Sequence, residues 1–259
     1  MLDITAVLPT LLAFFLALLI LAYLSYKVSI ELQLLIYYST GSKDMPIVIL
    51  FLALFPGVLI HEAAHWVTAR LLGLKASKFR VWPKRTGKHI GMGSVNVEQG
   101  GALRDSLVGL APLIVGTFLI ALIGHRVFDA YLISDALLVG RWQEGLRAMW
   151  LALNKTDGAI WAYLLFAIGN AMVPSTSDRE PVKTLLLYIA IAVLFYFILG
   201  LPLSPLSFMI GWLLPLLVDL SSALFFIILI DLIILMVLLM LRIFVEPPKG
   251  SAKMPKRRR

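Results

Sequence analysis

His61, Glu62 and His65 form a polar cluster inside an otherwise apolar run that extends from Ile47 to Leu74. In a helix, the four-residue spacing places the two imidazoles one turn apart on the same face, where both can bind one metal ion. Glu62 lies on a neighbouring part of that face and can reach a water molecule on the metal as a general base. The cluster therefore predicts a metal-dependent hydrolytic centre of the zinc type.

The surroundings of the cluster strengthen this prediction. The apolar run is long enough to cross a bilayer, and ionisable groups buried without partners at that depth are costly. A single His or Glu in a helix usually has only a structural role, whereas three ionisable groups at one level of an apolar run indicate a function. The other two histidines, His89 and His125, lie in polar segments, where we interpret them as ordinary loop residues.

The composition predicts a helical membrane protein. The chain has 259 residues, of which 60% are hydrophobic, more than a soluble domain usually carries. We expect an all-α, polytopic fold with about six transmembrane helices. The apolar windows that predict them lie near Val7–Tyr26, Ile47–Leu74, Leu107–Gly124, Ala159–Val173 and Leu185–Leu201, with a last span within Ser221–Val245.

Three further segments complete the predicted membrane topology. The first apolar run has no basic region before it and no small-residue cleavage site, so we interpret it as a retained span rather than a signal peptide. Ser29–Tyr38 is semi-apolar and is predicted to lie at the membrane interface. Ser207–Leu220 is apolar but contains Pro215 and Asp219, which favours a half-span or a re-entrant segment.

The absence of cysteine and the distribution of charge limit the chemistry and the partners. Without cysteine the chain has no disulfides, no thiolate metal ligands and no cysteine nucleophile, so a metal site must use His and carboxylate. The net charge of +8 is concentrated in Lys75–Arg104 and in the tail Lys249–Arg259. In a membrane protein such segments mark the cytoplasmic side and do not indicate nucleic-acid binding. We therefore expect the loop, the tail and the opening of the zinc site on the cytoplasmic side.

The loop of residues 75–101, after the second span, differs from the rest of the chain. Polar and apolar residues alternate at 79–82 and at 94–97, with glycines between and after these stretches. This pattern favours short strands joined by turns, and we predict a small β element at the membrane surface; a disordered basic loop is the alternative. The exposed edge of such a strand can pair with an extended peptide.

A zinc site with two histidines requires a third protein ligand from elsewhere in the chain. An apolar span ends with Asn170, Pro174 and Asp178. One interpretation is that Pro174 breaks the helix and lets Asp178 turn back toward the metal. The other is that this segment only ends one helix and caps the next.

Other carboxylates compete with Asp178 for this role. Glu180 is close to it in the chain, and Asp219 and Asp231 both lie in late apolar sequence. Asp231 is central in the last run, where an unpaired acid is costly, and its partner is not evident from the sequence.

The two motifs together resemble the site-2 protease family of intramembrane zinc metalloproteases. That family carries a His-Glu-X-X-His motif in one membrane helix and an Asn–Pro–Asp motif in a later one, around a core of three spans. His61, Glu62 and His65 match the first motif in full, and Asn170 and Asp178 keep the separation of the second. The resemblance implies that Asp178 is the third zinc ligand, and that Asn170 hydrogen-bonds the substrate backbone or the developing oxyanion.

The resemblance extends over about residues 47–181. Between the two motifs, the segment Gly109–Gly116 is similar to the small-residue and proline span of that family, which we interpret as a site of close helix packing. Arg179 stands where many members carry glycine. The implied substrates are transmembrane helices of other proteins, cut within or beside the bilayer.

These expectations divide the chain into four parts. Residues 1–45 hold the N-terminal span and the interfacial segment, and residues 46–181 form a metalloprotease core of three spans with the inserted β-like loop 75–101. Residues 182–248 hold the C-terminal spans, and residues 249–259 form the basic cytoplasmic tail.

A catalytically idle membrane protein that binds transmembrane helices is a second hypothesis for the function, which the intact Glu62 disfavours. A metal transporter is a third, and it would spread ionisable residues along several spans.

Overall fold

The computed structural model describes residues 4–77, 80, 82, 84–86, 89–91, 95–172, 176–202 and 204–245. Over these residues the chain is predominantly helical, as the sequence predicts. Its eight described helices, in chain order, are α1 Ile4–Thr40, α2 Met45–Leu71, α3 Ala102–Phe128, α4 Ala130–Leu138, α5 Trp142–Leu153, α6 Gly158–Ala171, α7 Thr176–Ile198 and α8 Ser204–Val245. The loop between α2 and α3 holds an antiparallel pair of short strands, β1 Lys84–Thr86 and β2 His89–Gly91.

Four of the described helices are long and apolar enough to cross a membrane, which indicates a multi-pass membrane protein. They include α2 and α3 in full, residues Val7–Thr40 of α1 and residues Ser207–Val245 of α8. The other two predicted spans coincide with shorter apolar helical stretches, Gly158–Ala171 and Leu187–Ile198. A helix of 14 residues such as α6 rises only about 21 Å, less than the hydrocarbon thickness of a bilayer.

Two segments that the sequence predicts as separate belong to long continuous helices. Ser29–Tyr38, predicted as interfacial, is part of α1, which continues to Thr40. Ser207–Leu220, predicted as a half-span or a re-entrant segment, lies within α8 with Pro215 inside the helix. A proline removes one backbone hydrogen bond and can bend a helix, but in a long apolar helix the bonds on either side hold the helical path.

The directions of α1 and α8 follow from buried polar contacts between them. The Ser25 hydroxyl of α1 donates to the backbone carbonyl of Asn170, whose side chain bonds Asp231 of α8, so residues 25 and 231 lie at nearly one level. Farther along both helices, Arg242 of α8 donates to Glu31 of α1 at 2.6 Å. Helices α1 and α8 therefore run in the same direction.

Helix α2 runs in the opposite direction. It follows α1 after residues 41–44 and packs back against it, with Val28 of α1 in the same hydrophobic cluster as Leu50 and Leu54 of α2. The basic loop after α2 thus leaves the bundle at the end opposite to Val245 of α8. The tail, residues 249–259, lies outside the described residues, so the prediction that the loop and the tail share one side stays a prediction. The charge of each basic segment favours the cytoplasmic side of the membrane. Whether two such segments share one side depends on the number of membrane crossings between them, which hydropathy alone does not determine.

The β element differs from the predicted one in position. The described strands lie between the two predicted stretches; residues 79, 81 and 94 lie outside the described residues, and Val97 forms only an isolated bridge with Ala76. The ring of Trp82 contacts that of Phe51 edge-on, with centroids 5.3 Å apart. Phe51 is 20 residues before the end of α2, roughly 30 Å along the helix. The loop therefore folds back beside α2 and is not confined to its end.

The largest hydrophobic cluster holds the helices together. Its fully buried members include Ile120 of α3, Leu165 of α6 and Ile227 of α8, with Leu21 of α1 nearly so. In a membrane such an interface is stabilised by close van der Waals packing, which small residues permit. Gly57 of α2 illustrates this, because a Cβ at that position would overlap the backbone carbonyl of Ala167 in α6.

The helix directions can be tested with single cysteines in this cysteine-free chain. Gln99→Cys lies near the end of the basic loop, and Phe244→Cys lies at the end of α8, where the side chain is 86% exposed. A membrane-impermeant thiol reagent should label the two variants from opposite faces of sealed vesicles, with Gln99→Cys accessible from the cytoplasmic face because of the basic loop. Labelling of both variants from the same face would contradict the parallel arrangement of α1 and α8.

Candidate metal centre

Three residues from two distant parts of the chain converge beside α2. His61 and His65 lie one turn apart on that helix, with their Nε2 atoms 3.2 Å apart. Asp178, in the first turn of α7, approaches both: its Oδ2 is 3.7 Å from His61 Nε2 and its Oδ1 is 3.5 Å from His65 Nε2. One potential ligand atom from each residue lies within 4.8 Å of the others, so the group could hold a metal ion.

Helix α3 contributes none of these three residues, but it contacts two of them. The ring Nδ1 of His65 lies 2.8 Å from the backbone carbonyl of Val108. Because a carbonyl oxygen can only accept, Nδ1 carries a hydrogen. In the neutral imidazole Nε2 then keeps its lone pair, which is directed at Asp178 and His61. The next residue, Gly109, lies against the backbone carbonyl of Asp178, where a Cβ would come within 2.7 Å of that oxygen. One turn of α3 therefore positions both His65 and Asp178.

The chemistry of the group fits a divalent metal ion of the zinc type. The Nε2 lone pair of His65 faces the carboxylate of Asp178, and both groups are hydrogen-bond acceptors. The side chains are largely buried, with 11% of His65 and 12% of Asp178 exposed. The Nδ1 atom of His61 is buried and makes no hydrogen bond to the described residues. Two imidazoles and one carboxylate are a common protein ligand set of a catalytic zinc, which leaves a further position for water or substrate.

Glu62 lies next to the group without belonging to it. Its side chain is buried, and it is close enough to His61 and Asp178 to interact with both electrostatically. As the residue after His61 it is rotated by about 100° around α2, so it faces the group from one side. A carboxylate in this position is suited to accept a proton beside a metal rather than to bind it.

Asn170 lies at the end of α6 with its side chain turned toward α8. Its Nδ2 donates to Asp231 Oδ1 and to the backbone carbonyl of Phe166, each at 2.9 Å. Both hydrogens of this amide nitrogen are therefore engaged, and none is left for an oxyanion or a substrate carbonyl. The other polar atom of this side chain, Oδ1, is buried without a partner among the described residues.

The competing carboxylates take other positions. Asp231 is completely buried and bonds Asn170, which supplies the partner that the sequence does not reveal. Asp219 is exposed on α8. Neither belongs to the metal-ligand group found among the described residues. Pro174 and the side chain of Glu180 lie outside the described part of the chain.

Sequence reasoning missed several contacts around the site and at the end of α6. Nothing in the residue type of Val108 indicates that its backbone carbonyl orients His65, and Ser25 is inconspicuous in its apolar run. The Asn170–Asp231 contact joins two residues that each stand out in apolar sequence. That coincidence is the only signal by which a single sequence could have suggested the pair.

Comparison of this chain with family models, curated proteins and solved structures finds no match. A function is therefore inferred from the arrangement of the site together with the sequence motifs.

Asp178→Ala should lower the zinc content of the purified protein, because it removes the one carboxylate of the ligand group. The matched control is Asp219→Ala, which removes an exposed acid of α8 and should leave the zinc content unchanged. Elemental analysis of both proteins after dialysis against trace zinc measures the difference. Full zinc occupancy in the Asp178 variant would exclude it as a ligand.

Gly109→Ala should weaken zinc binding without altering any ligand, because its Cβ would collide with the backbone of Asp178 and that backbone must move. Supporting contacts of metal ligands typically contribute about 10- to 100-fold in affinity, and we expect a loss of about tenfold. Gly211→Ala in α8 is the control, since nothing lies within 4 Å of the Cβ that it adds. Chelator competition measures both affinities, and equal affinities would show that the α3 contact does not position Asp178.

Proposed function

We propose that the protein is an intramembrane zinc metalloprotease that hydrolyses peptide bonds within or near transmembrane segments of other membrane proteins. The observation that carries this proposal is the convergence of His61, His65 and Asp178, whose potential ligand atoms lie within 4.8 Å of one another. The two histidines lie on α2, which is long and apolar enough to cross a membrane. The resemblance of the two motifs to the site-2 protease family supports it. So does the position of Asp178, the residue that this resemblance implies as a third ligand, beside the two histidines.

The residues of the site have distinct roles in the proposed reaction. Zinc, when bound by His61, His65 and Asp178, supplies a Lewis acid that polarises the scissile carbonyl and makes water more acidic. Glu62 takes a proton from the attacking water as the water oxygen bonds to the carbonyl carbon. It then delivers this proton to the leaving nitrogen when the carbon–nitrogen bond breaks. The Val108 carbonyl keeps His65 in the tautomer that binds metal.

Asn170 has no direct part in this reaction scheme. The resemblance implies that its amide donates to the substrate or the oxyanion, but both amide hydrogens are engaged by Asp231 and Phe166. Its Oδ1 is an acceptor and cannot stabilise a developing negative charge.

A substrate helix has to unwind before its backbone can be attacked, because its peptide groups are bonded to one another. The pair β1–β2 lies in the loop that folds back along α2, the helix that carries His61 and His65. A strand edge in this place can offer backbone hydrogen bonds to an unwound segment, in place of those that the segment loses.

The site is proposed to open toward the cytoplasm. His65 is six residues before the end of α2, about 9 Å along the helix, and the basic loop follows that end. Basic loops favour the cytoplasmic side of a membrane. Water would reach the site from there, and the end of α8 would lie on the other side.

The two other hypotheses have less support. A protein that only binds transmembrane helices has no need of a base at Glu62, which is buried beside the ligand group. A transport pathway requires accessible ionisable groups along its length. Glu31 and Asp231 are buried, and they are bonded to Arg242 and Asn170 respectively.

Glu62→Gln should abolish proteolysis and leave zinc bound, because it removes the base and keeps all three ligands. Loss of a general base lowers the rate by about 10²–10⁴-fold. The assay is cleavage of a transmembrane substrate with helix-breaking residues, in proteoliposomes, with the zinc content measured on the same samples. Glu98→Gln, at an exposed acid of the loop, is the control and should cleave at the parental rate. Parental cleavage by the Glu62 variant would contradict the proposed mechanism.

A further inference from the structure

Asp231 is the most deeply buried acid in the described part of the chain. It lies within the long apolar helix α8, and its side chain is completely inaccessible. No Lys or Arg among the described residues pairs with it. Arg242, eleven residues later and about 16 Å farther along α8, is bonded to Glu31. An ionised carboxylate at such a site would be very costly, so its hydrogen bonds have to be accounted for individually.

The hydrogen bonds of the Asn170–Asp231 pair are incomplete by one hydrogen atom. Asn170 Nδ2 donates to Asp231 Oδ1 at 2.9 Å and to Phe166. The remaining oxygen of each side chain, Asn170 Oδ1 and Asp231 Oδ2, is buried without a partner. Both atoms are acceptors, and a proton on Asp231 Oδ2 would let the two groups bond reciprocally, as a carboxylic acid and an amide do.

This pair joins three helices at the end of α6. Ser25 of α1 donates to the backbone carbonyl of Asn170 at 3.3 Å, while Asp231 holds its side chain from α8. The next residue, Ala171, packs closely against Gly57 of α2, and Met172 packs against Gly116 of α3. Asn170 is thus the point at which the end of α6 is fixed to the bundle.

The same stretch of chain leads to the metal centre. Asp178 follows Asn170 by eight residues, and its backbone lies against Gly109 of α3. Gly57, which Ala171 contacts, precedes His61 by about one helical turn on α2. A shift of the end of α6 would therefore be transmitted to α2 and, through the contact of Met172 with α3, to the helix against which the backbone of Asp178 lies.

We propose that Asp231 is a positioning residue of the metal centre: as a neutral carboxylic acid bonded reciprocally to Asn170, it fixes the end of α6 and thereby the place where Asp178 meets the two histidines. This inference rests on the metal site of the proposed function, and not on the proteolytic reaction. In this proposal Asn170 helps to position the metal centre and does not contact the substrate.

The proposal predicts different effects for two substitutions of Asp231. Asp231→Ala removes the acceptor and leaves an Asn170 hydrogen unbonded in the apolar interior. Asp231→Asn replaces the neutral acid by an amide of the same shape, which can accept from Asn170 Nδ2 and donate to Asn170 Oδ1. The first variant should disturb the metal centre, and the second should preserve it.

The test measures zinc affinity by chelator competition and thermal unfolding of the zinc-free protein. The variants are Asp231→Ala, Asp231→Asn, Asn170→Ala and the double alanine variant, with Asp219→Ala as the control on the same helix. We expect Asp231→Ala and Asn170→Ala each to weaken zinc binding by about 10- to 100-fold, as the loss of a supporting contact does. The double variant should lose little more than either single one, because the two residues act together. Asp231→Asn and Asp219→Ala should bind zinc like the parent.

Two results would overturn the proposal. If Asp231→Ala and Asn170→Ala lower thermal stability but bind zinc with parental affinity, the pair stabilises the bundle without positioning the metal centre. If Asp231→Asn loses as much zinc affinity as Asp231→Ala, the neutral acid is not the functional form.

An infrared measurement tests the protonation directly, and it uses only variants that keep the hydrogen bonds. The difference spectrum between the parental protein and Asp231→Asn should contain the carbonyl band of a protonated carboxylic acid. A carboxylate band in its place would contradict the reciprocal pair. Because neither measurement depends on peptide cleavage, both remain decisive even if Glu62→Gln shows that the protein is not a protease.

Discussion

A polar group inside this helix bundle has to find its partner within the protein, because the surroundings of long apolar helices are hydrocarbon rather than water. This constraint explains the buried contacts that define the fold. Glu31 is paired with Arg242, His65 Nδ1 with the Val108 carbonyl, and Asn170 with Asp231. The group of His61, His65 and Asp178 differs, because its ligand atoms converge on one another. A metal ion could bind all three at once, which is the basis for proposing a metal centre here.

The assembly of this centre depends on close contacts between helix backbones. Glycine at position 57 lets α6 approach α2, and glycine at position 109 lets α3 approach the backbone of Asp178. The candidate ligands come from α2 and α7, while α3 contacts both His65 and Asp178. A site divided among helices in this way is sensitive to residues that are not ligands, such as these two glycines of α2 and α3.

The sequence predicts part of this arrangement well and part of it poorly. The two histidines and Glu62 are evident from their spacing, since a helix places positions four apart on one face. Asp178 is suggested by the resemblance of its segment to a known motif, and the structure brings it to the histidines. In contrast, the common direction of α1 and α8, the return of the loop along α2 and the Asn170–Asp231 pair are long-range features. They arise from packing between helices, which hydropathy and local propensity do not encode.

X-ray absorption spectroscopy at the zinc edge of the purified, zinc-loaded protein tests the central claim most directly. Two imidazoles and a carboxylate predict a first shell of nitrogen and oxygen atoms at about 2.0–2.2 Å, with the outer-shell scattering of two imidazole rings. A spectrum with fewer than two imidazoles, or a protein that binds no zinc at micromolar concentration, would contradict the proposed metal centre.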